Sequence, residues 1–167
     1  QVEVNDNESD DMIAYYCQIS EDETKTIFSA DKDLTQLISE TVQVYSPSQK
    51  QMIKFGDKVK LKDISIPHQN VSTFKIISGD KSDNISGVRG LGLKTIQKKL
   101  PFLSENRIVE MDEVVNELPE HKDTIDLNYR LMQLSDVDIS ASTKTKIIII
   151  KWSQLKSRFT KKWLIDS

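Results

Sequence analysis

Residues 79–95, GDKSDNISGVRGLGLKT, place three glycines within six positions, between a pair of aspartates and a row of lysines. Glycine at that density weakens the interior of any helix or strand, because an unbranched backbone has the most conformational freedom to lose. The stretch is therefore a turn, and the elements on either side must pack around it. Asp80 and Asp83 are three residues apart, which puts both carboxylates on one face if the backbone there is helical or turn-like. Gly90-Leu91-Gly92 reads as a tight hairpin between two helices. Glycine permits a close backbone approach to a ligand, and the amides opening the next helix face outward, where they can meet a phosphate. A plain helix cap followed by a turn explains one glycine, but not three with an all-basic flank.

The spacing of apolar residues sets out the rest. Residues 9–19 carry Met12, Ile13, Tyr16 and Cys17 at helical intervals, with Ser9 placed to cap the start. Residues 25–30 read as a short strand, and 33–39 as a second helix with Leu34, Leu37 and Ile38 on one side. Residues 41–45 and 51–55 alternate around SPSQK, which predicts a hairpin. Phe74, Ile76 and Ile77 close a helix that ends at Gly79, after which strands largely vanish. Lys94–Leu100 is a helix stopped by Pro101, and further helices are expected near 104–118 and 122–135. The run Ile147–Ile150 is open between strand and helix. This order is that of an α/β domain followed by helices.

With 167 residues, 37% of them hydrophobic, the chain has enough apolar surface for one domain, or one domain with a lobe. Its single cysteine, Cys17, allows no internal disulfide and fits a reducing compartment. No apolar run approaches the ~18 residues needed to span a membrane. A first residue of Gln rather than Met is expected of a cut from a longer chain. The net charge of −3 is unevenly spread. Glu3, Asp6, Glu8, Asp10 and Asp11 precede any base, residues 86–100 carry only Arg89, Lys94, Lys98 and Lys99, and the last quarter is again rich in lysine. Solvated charged faces are the simplest account of such alternation. A protein that holds cations in one place and phosphates in another would show it too.

Three acid clusters stand out: Glu8 with Asp10 and Asp11, Asp31 with Asp33, and Asp80 with Asp83. Each alone is explained by the preference of acids for helix starts. Two of them fall where a strand gives way to a helix, the place where open α/β sheets set their ligands. Seven carboxylates drawn into one cleft would repel strongly without a cation. Hard oxygen donors with no nearby His or Cys suit Mg²⁺ or Mn²⁺, and two such ions about 4 Å apart can clamp a phosphodiester and activate water for in-line attack. His68 and His121 lie away from the clusters and read as surface or packing residues. The glycine-rich stretch fails the P-loop pattern by one residue at Leu93. It lacks the third glycine of a dinucleotide fingerprint, where Thr95 stands, and an EF-hand would need Gly at Ile85 and Glu at Leu91.

At these residues the sequence resembles the 5′ nucleases, a family that includes bacteriophage 5′–3′ exonucleases, flap endonucleases and the 5′-nuclease domain of bacterial DNA polymerase I. GDKSDNISGVRGLGLKT is similar to that family's Gly-Asp-x-x-Asp-Asn block joined to a helix-hairpin-helix. ESDDMIAYY is similar to its Glu-Ala-Asp-Asp block, and SADKDLTQL to its Ser-x-Asp-x-Asp block. The likeness is good over residues 1–100 and loose over 122–151. Ser9 stands for the usual alanine and Ser86 for the usual proline.

The resemblance implies a partial PIN-like parallel-sheet domain followed by an α-helical helix-hairpin-helix lobe. Residues 1–78 would be the C-terminal portion of the nuclease core, 79–135 the DNA-binding lobe, and 136–167 a basic segment packing on the core, with Trp152, Phe159 and Trp163 turned inward. It implies two Mg²⁺ or Mn²⁺ ions held by Glu8, Asp10, Asp11, Asp31, Asp33, Asp80 and Asp83, the last four being catalytic. It implies DNA contacts from Arg89, Gly90, Gly92, Lys94, Thr95 and Lys98, with K⁺ bound at the hairpin carbonyls. The expected activity is hydrolysis of DNA, or of RNA primer in a hybrid, at 5′ ends or flaps during replication or repair. The expected location is the cytoplasm, that of a bacterial host if the chain is phage-encoded. The family's first strand, two of its carboxylates and its basic arch have no counterpart before Gln1. A missing N-terminal half supplied by another chain, or a DNA-binding module that does not cut, are the alternatives.

Overall fold

Every second side chain of the strand Val42–Ser46 is buried, and that alternation organises the first sheet. A computed structural model describes residues 9–137 and 139–166 of the chain, with side chains through residue 153. The chain divides into two compact units: Glu21–Leu134, and the residues up to Ser20 together with those from Ser135 onward. The fold is mixed α/β.

In the larger unit, β1 (Lys25–Phe28) runs parallel to β2 (Val42–Ser46), and β3 (Gln51–Ile53) returns antiparallel to β2. Ile27, Val42, Val44 and Ile53 form the buried side of this sheet. The link from β1 to β2 is a 3-10 helix at Asp33–Leu37 and not the α-helix expected there. The Ser39 hydroxyl accepts hydrogen bonds from the backbone N–H groups of Thr41 and Val42, each at 3.2 Å, and turns the chain into β2 before a second helical turn can form. Leu34 and Ile38 still point inward.

A second hairpin, absent from the sequence expectations, follows: β4 (Lys58–Leu61) pairs antiparallel with β5 (Ile64–Pro67). Val59, Leu61, Ile64 and Ile66 are its buried face, and Lys62 adopts φ 51° at the turn. α2 (Val71–Ser78) comes next, with Val71, Phe74, Ile76 and Ile77 all buried. A two-residue ladder, β6 (Gly79–Asp80) with β7 (Ile85–Ser86), separates α2 from α3 (Leu93–Lys99). α4 (Met111–Glu117) starts well after residue 104. Pro101–Ser104 is a 3-10 turn, and the bend after it is held by Asn70, whose buried carboxamide donates to the carbonyls of Leu103 and Arg107 at 3.0 Å and accepts from the N–H of Val109. A capping box of Glu110 and Glu113 then opens α4. α5 (Lys122–Met132) buries Ile125, Asn128 and Met132 at helical spacing.

In the smaller unit, α1 (Ser9–Gln18) packs with α6 (Ala141–Asp166). Ser9 is the first residue of α1, one position inside the cap expected of it. The isoleucine run is helical, with Ile147 buried and Ile149 exposed. Lys144 sits over the ring of Tyr15, 5.6 Å from its centre, and the Lys151 ammonium donates to the carbonyl of Ile19. Trp152 is 62% exposed, contrary to the packing expected of it. Phe159 and Trp163 lie outside the described side chains. Among the described residues no helix is long and apolar enough to cross a membrane.

His68 is a packing residue, as expected. Its ring is 2% exposed, lies against Phe55, and has no hydrogen-bond partner at either nitrogen. Burial lowers its pKa below 6.5, with the Thr35 backbone and the Asp57 charge pulling the other way. Below pH 6.5 the unfolded chain takes a proton that the folded chain refuses, so stability declines as pH falls from 6.5 toward the depressed folded value. The urea midpoint should therefore drop between pH 7.5 and 5.0 in the wild type, and drop less in His68→Leu. An equal drop in both would show that His68 carries none of the acid sensitivity.

Candidate metal centre and its basic flank

Asp33 is set by the exit from β1. The Ser29 hydroxyl accepts the N–H of Asp31, and Oδ1 of Asp31 accepts the N–H of Asp33 at 2.9 Å. This turn directs the Asp33 carboxylate toward the end of α2. There Gly79 ends the helix at φ 76°, and Asp80 follows in β6. Oδ1 of Asp80 accepts the N–H of Ser82 at 2.9 Å and also the Ser82 hydroxyl, which fixes the carboxylate within its own turn. Asp83 lies at the exposed tip between β6 and β7. Asp33, Asp80 and Asp83 each offer one oxygen, and these oxygens lie within 4.8 Å of one another.

The sequence reading missed the residue at the centre of this group. The Lys75 ammonium, on α2, forms ion pairs with both Asp33 and Asp80. All three side chains are at most 16% exposed. Burial raises the pKa of Asp33, the Lys75 contact opposes that rise, and the charges of Asp31 and Asp80 add to it. Burial also works against the charge on Asp80, but bonds from Lys75 and Ser82 prevail and hold its pKa at about 2. For Lys75 burial likewise disfavours the charge, and the two carboxylates outweigh it to raise the pKa. Two carboxylates thus share one ammonium, with the Asp83 carboxylate at the exposed rim.

Of the other acids read from the sequence, Asp31 serves as a turn acceptor beside the cluster. Asp10 and Asp11 open α1 in the smaller unit. Glu8 lies outside the described residues. The loop carrying Asp80 and Asp83 is braced from below by Asn128 of α5, a second residue the sequence did not mark. Its buried carboxamide donates to the carbonyls of Ile76 at 2.8 Å and Ser86 at 2.9 Å.

The glycines of 79–95 differ in what they do. A Cβ on Gly79 would lie 2.3 Å from the backbone N of Gly87, and one on Gly87 would lie 2.2 Å from the carbonyl carbon of Ser78. These two residues let the chain cross itself. Gly90 has φ 82° with open space around it, whereas Gly92 has an ordinary φ and equally open surroundings. Val88 and Leu91 anchor the turn in the core, and the Val88 N–H donates to Ile77 at 2.7 Å. Arg89, Gly90, Gly92, Lys94 and Lys98 are exposed and Thr95 is half-buried. Lys94 also pairs with Asp63 at 3.3 Å. Both partners are largely solvated, a geometry that contributes little to stability.

No family model matches the chain. Its sequence is 35% identical over 142 residues to a 5′-3′ exonuclease of Aquifex aeolicus (strain VF5), a match that spans 81% of this chain and 48% of the relative. It is 34% identical over 113 residues to a 5′-3′ exonuclease of Mycoplasmopsis pulmonis (strain UAB CTIP), spanning 66% and 37%. It is 33% identical over 101 residues to DNA polymerase I of Rhizobium leguminosarum, spanning 59% of this chain and 10% of that one. The chain thus spans about half the length, or less, of these relatives. In fold it is similar to a mutant T5 5′-exonuclease, with a TM-score of 0.58, 21% identity, and coverage of 96% of this chain and 66% of the other. It has the same TM-score to a bacteriophage T5 flap endonuclease solved as a pseudo-enzyme-product complex with DNA and metal ions, at 20% identity, covering 96% and 60%.

Two outcomes test the geometry. Gly87→Ala should destabilise the protein by about 2–4 kcal/mol, because backbone must move, while Gly92→Ala should change stability by less than about 0.5 kcal/mol; equal effects would contradict the crossing at Gly79 and Gly87. Lys75→Met should cost about 1–3 kcal/mol at pH 7.5 in EDTA by leaving two carboxylates without their cation. Mg²⁺ or Mn²⁺ at millimolar concentration should recover more of the melting temperature in this variant than in the wild type. A melting temperature unmoved by the substitution would remove Lys75 from the cluster.

Proposed function

We propose that this chain, a homologue of the 5′ nucleases, forms the metal-holding and DNA-gripping part of a nuclease that hydrolyses phosphodiester bonds at the 5′ ends or flaps of DNA, or of RNA primer in a hybrid. The observation that carries this reading is the convergence of Asp33, Asp80 and Asp83 beside an exposed, basic, glycine-rich turn. The role proposed for the chain is in replication or repair.

The donor set fits a hard divalent cation. All three groups are carboxylates, no His or Cys stands among them, and a single ammonium stands against the three. Mg²⁺ is the ion we assign, with Mn²⁺ as its substitute. Asp33, Asp80 and Asp83 would hold it, and Asp31, Glu8, Asp10 and Asp11 are the further ligands we assign to a two-ion site. When bound, the ions supply positive charge to the scissile phosphate and acidify water. The protein's own part is to keep its carboxylates ionised and oriented. Ser82 and Lys75 do so at Asp80, whose pKa of about 2 keeps it charged at any physiological pH.

On the other side of the loop, Arg89, Lys94 and Lys98 offer cations to the sugar–phosphate backbone, and Gly90, Gly92 and Thr95 leave room for it to approach the main chain. Such contacts position a duplex without reading its bases. K⁺ at the carbonyls of the turn belongs to the same reading. The relatives are about twice as long, so we assign the remaining ligands and the clamp on the 5′ strand to the rest of such a protein. Its place of action would be the cytoplasm of a bacterium, or of a phage's bacterial host.

A labelled 5′-flap duplex and a blunt duplex, each incubated with the protein in Mg²⁺ and in EDTA, test the proposal. The expected result is binding in both buffers and 5′ products only with Mg²⁺. Asp83→Ala should lower cleavage at least about 100-fold, the upper range for losing a group that merely orients a ligand, while binding stays within about twofold. A wild-type protein that neither binds nor cuts either DNA would reject the reading.

A further inference from the structure

The hairpin β4–β5 carries a charge pattern that the metal centre and the glycine turn do not use. Its sequence, KVKLKD, alternates so that Val59 and Leu61 are buried while Lys58 and Lys60 face solvent on the opposite side, with Lys62 exposed at the turn. The rise along a strand puts Lys58 and Lys60 ~6.7 Å apart. Among the described residues no carboxylate lies within ion-pair distance of any of the three. The two acids of the hairpin are occupied elsewhere. Oδ2 of Asp57 accepts the N–H of Lys54 at 2.8 Å, and Asp63 pairs with Lys94.

Lysines on a short strand also guard against edge-to-edge aggregation. That role needs only one charge on a strand and no particular neighbours. Here the hairpin meets two neighbouring segments. The Lys32 ammonium, between Asp31 and Asp33 in sequence, donates to the carbonyl of Lys60 at 2.9 Å, which joins the hairpin to the edge of the metal centre. At its tip, Asp63 meets Lys94 at the start of α3. The hairpin thus touches the segment that carries Asp33 and the helix that follows the glycine turn, within one compact unit.

We propose that the outer face of this hairpin is a second contact surface for the phosphate backbone of duplex DNA, carried by Lys58, Lys60 and Lys62. The inference rests on the nucleic-acid reading above and extends it to residues outside the glycine turn. Duplex DNA is the occupant because its backbone presents one charge per ~3.4 Å of axis on each strand, so a row of lysines can engage several phosphates at once. Asp63 acts against this surface, since it places a negative charge at the tip and engages Lys94.

Fluorescence anisotropy of a labelled duplex, with NaCl varied from 50 to 200 mM in EDTA, tests the surface. Three lysines lost together, as Lys58→Ala, Lys60→Ala and Lys62→Ala, should reduce the slope of log affinity against log salt by about two to three. Affinity at 50 mM NaCl should fall at least tenfold, and the melting temperature should stay within about 2 °C because all three side chains are solvated. Asp63→Asn should shift the other way, toward tighter binding and a steeper slope. A wild type that binds DNA while the triple variant keeps its slope would overturn the hairpin surface alone. So would a triple variant that loses only binding to anionic phospholipid vesicles, or only its solubility. A wild type that binds no DNA at all would overturn both this inference and the nuclease reading.

Discussion

The ammonium of Lys75 between Asp33 and Asp80 joins parts of the chain that nothing local would bring together. Asp33 follows a strand and Asp80 follows a helix, 47 positions later. Without a cation between them, two half-buried carboxylates at this distance would push the β1 exit and the α2 terminus apart. With it, the two acids can stand together. Lysine suits this position because its long apolar stem can lie along α2 while only the charged end reaches the carboxylates. The cluster is therefore partly neutralised, and a residual negative charge is left facing outward at Asp83.

The loop that carries Asp80 and Asp83 is shaped by backbone more than by side chains. Gly79 and Gly87 let the strands of the small ladder cross at a distance no Cβ would permit. Asn128 ties the last turns of α2, at Ile76, and the end of the ladder, at Ser86, to α5. A buried amide with two good acceptors is a costly thing to misplace, because a displaced donor would be left unsatisfied. Rigidity of this kind serves a metal site, whose donors must be held close together against their own repulsion.

Much of this was legible in the sequence, for reasons that differ by element. Asp33, Asp80 and Asp83 stood out because acids beside helix starts and glycines are a local signal, whereas Asp31, read with them, serves as a turn acceptor. β1 and the β2–β3 hairpin could be read because alternation around SPSQK is strong. The β4–β5 hairpin has equally clear alternation, but its Lys62-Asp63 turn lacks the glycine or asparagine that marks most two-residue connections, and its strands are only four residues long. The segment 33–37 has helical spacing, yet Ser39 stops it within five residues. Ile147–Ile150 is ambiguous to any local rule, and only burial at helical intervals through Thr143 and Ile147 decides it. Lys75 and Asn128 were invisible because each acts by joining segments far apart in the chain. In the sequence each looks like the polar side of an amphipathic helix. Asp33, which Lys75 joins to the nearby Asp80, lies 42 residues from it, and Ile76 and Ser86 lie 52 and 42 residues from Asn128.

The single carboxamide beneath the small ladder has a mechanical corollary. Since one side chain hangs from α5 and holds the carbonyls at both ends of the loop, the two aspartates above it ride as a rigid pair on that helix. Asp83 stands solvated at the rim and takes no part in the packing below. The fold thus separates an exposed charged tip from the buried amide that anchors its loop.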